Sequence, residues 1–180
     1  MSRIGRLPIA IPEGVTVTVD GTNVTVTGKL GTLSQVIDRN ISVKLEDNHV
    51  VVTRASENSD CRAKHGLYRQ LIANMVKGVS EGFKKVLVIN GVGYKATQSG
   101  EKVVLNIGYS HPVELVPTEG ITLKALSVTE VEVSGIDRER VGQYAAKIRD
   151  IKRVEPYHAY GIKYSDEVVI RKEGKTSGKK

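Results

Sequence analysis

At 180 residues and 39% hydrophobic, the chain can bury a real core, as one ordinary domain or two small ones, and no apolar run approaches the roughly 18 residues that would span a bilayer. A single cysteine, Cys61, excludes an internal disulfide framework; with four scattered histidines it offers no zinc-ligand spacing, and a reducing, cytosol-like compartment is the expected setting. The net charge of +7 points to a polyanionic partner, and its placement is uneven: 10 Lys+Arg face 8 Asp+Glu over residues 1–82, 9 face 8 over 83–150, and 8 face only 4 over 151–180.

The opening "MSRIGRLPIAIPEG" has two arginines but neither the apolar stretch nor the small-residue cleavage site of a signal peptide. "VTVTVDGTNVTVTG" then alternates apolar and polar residues on either side of Asp20-Gly21, which predicts a β-hairpin. Strand-like runs follow at "TLSQVI", "ISVKLE" and, after an Asp47-Asn48 turn, "HVVVTR". The period then changes, and Leu67, Leu71, Ile72, Met75, Val76 and Val79 predict one apolar helix stripe ending near Gly78 and Gly82, with Cys61 a small residue near its start. The second half repeats the order. "KKVLVINGVGYKATQSGEKVVLNIGY" gives strands broken by glycines with a turn at Ser99-Gly100, and "PVELV", "ITLKAL" and "TEVEVSG" supply further strands. Asp137 is a candidate N-cap for a second helix whose apolar face is Val141, Tyr144, Ala145 and Ile148.

The helices also align: "CRAKHGLYRQLI" lies over "DRERVGQYAAKI", matching Arg62 with Arg138, Lys64 with Arg140, Gly66 with Gly142, Tyr68 with Tyr144 and Ile72 with Ile148. The expected fold class is α+β: two duplicated small domains, residues 1–82 and 83–152, each an antiparallel sheet packed against one helix. Residues 153–180 form a basic strap and tail. Units of this size bury only about 60% of their unfolded surface, so the two are expected to dock. Within the tail, "RKEGKTSGKK" is expected to be disordered in isolation.

Enzyme chemistry finds no support in the spacing. "GVGYKA" at 91–96 lacks the third glycine and the following helix of a dinucleotide loop, so its glycines read as a bulge or a close backbone approach. "EGKTSG" lacks the Walker glycine four residues earlier. His111 sits beside Ser110, but neighbours on a strand face opposite ways and make no nucleophile and base. No catalytic residue, cofactor or metal is expected.

The tail reads differently. Lysine and arginine neutralise phosphates, and unpaired bases stack on rings. Lys152, Arg153, Tyr157, His158, Tyr160, Lys163 and Tyr164 supply both, on a segment bent by Pro156 and Gly161. The structural alternative is a loop whose tyrosines pack back on the second sheet. Lys84-Lys85, at the start of a strand, reads as solvated charge. A rival function is an RNA-free adaptor that pairs with protein partners through exposed sheet edges.

Four segments resemble a known family, large-subunit ribosomal protein six of the bacterial type: "MSRIGRLPIAIPEGV", "MVKGVSEGFKKVLVINGVGYKA", "NIGYSHPVEL" and "RVEPYHAYGIKYSDEVVIRKEGKTSGKK". The family's strap usually reads Pro-Glu-Pro-Tyr-Lys-Gly-Lys-Gly; here Val154 replaces the first proline, His158 and Tyr160 replace two lysines, and Ala159 replaces a glycine. The resemblance implies two duplicated α+β domains and a non-enzymatic role binding large-subunit (23S-type) rRNA near the sarcin–ricin loop and stalk base. It implies neighbouring large-subunit proteins and nearby translation factors as partners, with no membrane and no homo-oligomer, in the ribosome of the cytoplasm or of an organelle. Carried over residue by residue, it implies RNA contacts at Ser110, His111, Lys152, Arg153, Tyr157, Lys163, Arg171, Lys172 and Lys175.

Overall fold

The computed structural model describes residues 3–46 and 48–175. The first half runs β1 (Ile9–Ala10), β2 (Thr16–Asp20), β3 (Asn23–Gly28), β4 (Gly31–Val36), β5 (Ile41–Glu46), β6 (His49–Arg54) and α1 (Ser59–Ser80). Alternation in β2 and β3 places Val17, Val24 and Val26 in the core, and the Asp20 to Asn23 pairing leaves the two-residue loop Gly21-Thr22. Gly21 has φ +57°, which such a tight hairpin turn requires. Asp47 of the expected second turn lies outside the described residues; its neighbour Asn48 has φ +66°.

The strands of this half sort into two sheets rather than the single one expected, in the orders β2-β3-β4 and β1-β6-β5, with α1 packed against both. The Ile37–Asn40 connection carries the chain from one sheet to the other, a crossing that alternation alone does not reveal. Val24, Val26, Val50, Ile72 and Val79 are fully buried between these layers.

The helix stripe differs from the expected one at its first turns. Leu67 is exposed, and the buried line begins with Cys61 and His65 before Ile72, Met75, Val76 and Val79. His65 can occupy a core position because both ring nitrogens are satisfied. Arg54 donates to Nδ1 at 2.9 Å, and Nε2 lies 2.9 Å from the Val52 carbonyl. An arginine can only donate, so Nδ1 accepts and Nε2 carries the proton. Gly82, with φ +77°, terminates α1 by donating to the Gly78 carbonyl. Gly78 itself lies inside the helix, where a Cβ would collide with the Ile136 carbonyl.

The second half repeats the wiring with β7 (Phe83–Asn90), β8 (Lys95–Ser99), β9 (Lys102–Asn106), β10 (Val113–Leu115), β11 (Ile121–Ser127), β12 (Glu130–Gly135) and α2 (Arg138–Ile151). The β8-β9-β10 sheet corresponds to β2-β3-β4, and β11-β12-β7 corresponds to β5-β6-β1. Helix α2 begins directly after Asp137, buries Val141, Ala145 and Ile148, and anchors Tyr144 through its hydroxyl to the Val116 carbonyl at 2.5 Å. One element has no counterpart in the first half. Strand β13 (Gly161–Tyr164) adds to the outer edge of β7, with Ile162 opposite Ile89 and fully buried. Backbone contacts divide the chain into one unit that runs to Phe83 and takes in Ile136–Arg138, and another made of Lys84–Gly135 and the chain from Glu139 onward. Among the described residues no helix is long and apolar enough to cross a membrane.

Candidate nucleic-acid interface

The site starts where α2 stops. The Ile151 carbonyl, left without a helical partner, accepts a hydrogen bond from the Tyr109 hydroxyl at 2.7 Å. The next residue, Lys152, holds its ammonium 4.7 Å from the centre of the Tyr109 ring and 5.6 Å from that of Tyr94, within cation–π reach of both. The two tyrosines come from glycine-containing loops for steric reasons. A Cβ at Gly91 would lie 2.4 Å from the Tyr94 ring, and Gly108 turns with φ +76° against the same ring. Tyr109 in turn stacks on His111, with centroids 6.2 Å apart and planes 16° from parallel. Ser110 and His111 therefore sit in a bend beside Lys152, not on a strand, so the strand geometry expected for them does not apply.

Beyond Lys152 the chain doubles back as a built loop. The Glu155 carboxylate accepts backbone N–H bonds from Tyr157 at 2.8 Å, His158 at 2.5 Å and Tyr160 at 3.3 Å, while the Glu155 N–H donates to the Tyr160 carbonyl. Partial burial pushes the Glu155 pKa up, but those three donors outweigh it and hold the carboxyl below its ordinary range. Ala159 is buried at φ +62°, and its carbonyl accepts from the Asn90 side chain at 2.8 Å. The loop thus turns its small residue inward and its rings outward. His158 and Tyr160 stack at 5.4 Å and 21°, Tyr157 is half exposed, and Tyr160 is 37% exposed.

The return strand is locked by charge. Arg149 forms a two-pronged bond to Glu167, Nε to Oε2 at 2.9 Å and the other prong to Oε1 at 2.5 Å, and Glu167 also accepts the Tyr164 N–H. Hydrogen bonding to Arg149 holds the Glu167 carboxyl below its ordinary value. Tyr164 lies under both Lys85 and Arg149, at 5.3 and 5.6 Å from its ring centre. Among the strap's tyrosines it is the fold anchor.

The chain has named relatives. A family model described as "Ribosomal protein L6" matches residues 11–82 and 90–165, one stretch in each half. The chain belongs to the ribosomal protein L6 family. It is 56% identical to a protein named "Large ribosomal subunit protein uL6" from Halalkalibacterium halodurans over 176 residues, 98% of this chain and 99% of that one. Proteins of the same name from Clostridium perfringens and Clostridium beijerinckii are 55% and 56% identical, covering 98% and 100% of this chain and 99% and 100% of their own lengths.

The residues expected to contact RNA fall into four groups. Ser110, His111 and Lys152 come together through Tyr109. Tyr157, His158 and Tyr160 ride on the Glu155 loop. Arg153 and Lys163 lie on the strap but are engaged with the protein: Arg153 pairs with Asp150 at 2.9 Å, and the Lys163 ammonium lies 3.4 Å from the Glu167 carbonyl. Arg171, Lys172 and Lys175 form an exposed tail whose side chains have no ion pair among the described residues; the Lys172 N–H ties the tail back to the Pro156 carbonyl at 2.9 Å. The expected disorder of the tail falls partly on residues 176–180, outside the described residues. Lys84 and Lys85 lie 3.9 and 3.8 Å from Glu132 and Asp166. Sequence reasoning passed over Tyr94 and Tyr109 as site residues. The available signal was a tyrosine directly after a glycine in each of two family motifs.

Proposed function

We propose that this chain is a non-enzymatic structural component of the large ribosomal subunit, and that its second unit and strap bind 23S-type rRNA near the sarcin–ricin loop and stalk base. There it would stand beside neighbouring large-subunit proteins and support the region where translation factors dock. The carrying observation is the strap itself: outward-facing rings and a cationic tail, fixed to the sheet by β13 and to α2 by the Arg149–Glu167 pair. Ordered side chains meeting a folded RNA lose less conformational freedom than a loose tail would. Identity of 55–56% over almost the whole chain to proteins named for the large ribosomal subunit supports the same reading. The test is an image of a large subunit assembled with this chain. Residues 152–175 should lie against ribose and phosphate; a strap projecting into open solvent would overturn the proposal. Binding of the pure chain to 23S-type rRNA should weaken steadily as salt rises.

A further inference from the structure

We infer that the strap grips RNA by stacking an unpaired base on the His158–Tyr160 ring pair, while the salt-sensitive phosphate contacts belong to the tail beyond Glu167. This rests on the rRNA-binding reading above and specifies its chemistry.

The charges make the division. Between residues 149 and 167 the cations Arg149, Lys152, Arg153 and Lys163 are matched in number by Asp150, Glu155, Asp166 and Glu167. These groups are also engaged in space. Arg149 holds Glu167, Arg153 holds Asp150, Lys85 reaches Asp166, Glu155 is filled by backbone N–H groups, and Lys152 sits over two rings. A cation already answered by a carboxylate gains little from a phosphate unless the first pair breaks. Residues 168–180 are the opposite case, with Arg171, Lys172, Lys175, Lys179 and Lys180 against Glu173 alone.

What the electroneutral strap offers is rings. His158 and Tyr160 are already parallel to within 21° at 5.4 Å, and the His158 side chain is 73% exposed. The Glu155 bonds and the buried Ala159 hold the loop in shape before any ligand arrives. A base splayed out of its helix can extend this stack. Every base has a flat face, so the platform selects an unstacked nucleotide rather than a particular sequence.

The test uses the full-length chain and transcribed 23S-type rRNA, with affinity measured across a salt series. Tyr160→Leu, which keeps apolar bulk without a ring, should weaken binding about tenfold or more with an unchanged salt slope. Tyr160→Phe should bind like the wild type. The triple variant Arg171→Gln, Lys172→Gln, Lys175→Gln should flatten the log–log slope by about 2. Because the chain has no tryptophan, Tyr160→Trp places a single reporter whose emission should be quenched on binding. Wild-type affinity in Tyr160→Leu, a slope loss in that variant equal to the triple's, or an unquenched Trp reporter in the bound complex would each overturn the inference. A wild-type chain that binds no 23S-type rRNA would overturn the function proposed above, and this inference with it.

Discussion

Replacing Gly161 by alanine should unfasten the strap. The residue has φ +139°, a conformation that side chains avoid, and an added Cβ would stand 2.7 Å from the Arg153 carbonyl oxygen and 2.8 Å from that of Lys152. Both obstacles are backbone, so neither can swing aside as a flexible side chain would. The Lys152 carbonyl also accepts the Ile162 N–H at 2.8 Å, so relief of the clash loosens that bond. Backbone strain of about 1–3 kcal/mol and a weakened hydrogen bond of about 1 kcal/mol sum to about 2–4 kcal/mol. At roughly 4–8 °C per kcal/mol for a unit of this size, melting of the second unit should fall by about 8–30 °C in a calorimetric scan. Gly100 supplies the control. It has φ +61° but nothing within 4 Å of an added Cβ, so Gly100→Ala reports the conformational part alone, about 1–2 kcal/mol. If Gly161→Ala melts no lower than Gly100→Ala, the close crossing of 152–153 over 161 is not what holds the strap, and the reasoning fails.

Ala159→Gly should stabilise the second unit by about 0.5–1 kcal/mol in urea unfolding, because relief of the left-handed strain exceeds the added freedom of the unfolded chain. Glu155→Gln should leave the fold standing but speed hydrogen exchange at the Tyr157, His158 and Tyr160 amides, since an amide oxygen is a poorer acceptor than a carboxylate and the three donors now share one oxygen. Acid should release the return strand. The Glu167 pKa is depressed below its ordinary 4.5, so its contribution is complete above that value and is lost as pH falls through the lower folded one. Exchange at the Tyr164 amide should accelerate over that window in the wild type, and Glu167→Gln should show the faster rate already at neutral pH.

The hairpin at Gly21 and the duplication of the helices were legible because each rests on local alternation or on direct likeness between the halves. Leu67 misled because helical spacing counts apolar residues and cannot see a polar one whose two nitrogens are both bonded. His65 takes that core place only because Arg54 and Val52, on β6, supply its partners. Strand β13 was missed for a related reason: four residues are too few to show a period, and what makes them a strand is β7, far back in the chain. Among the site residues, the rings and cations could be read from composition. Their pairing could not. Nothing in "RVEPYHAYGIKYSDEVV" says that Arg149 reaches Glu167 or that Glu155 faces inward on three N–H groups.

Strand β13 also sets an order of events during synthesis. Its mate β7 lies near the middle of the chain, and 69 residues separate Asn90 from the Ala159 it holds. A copy that ends before Gly161 has no β13 to cover the outer edge of β7. Closure of that edge therefore waits until nearly the whole polypeptide has been made.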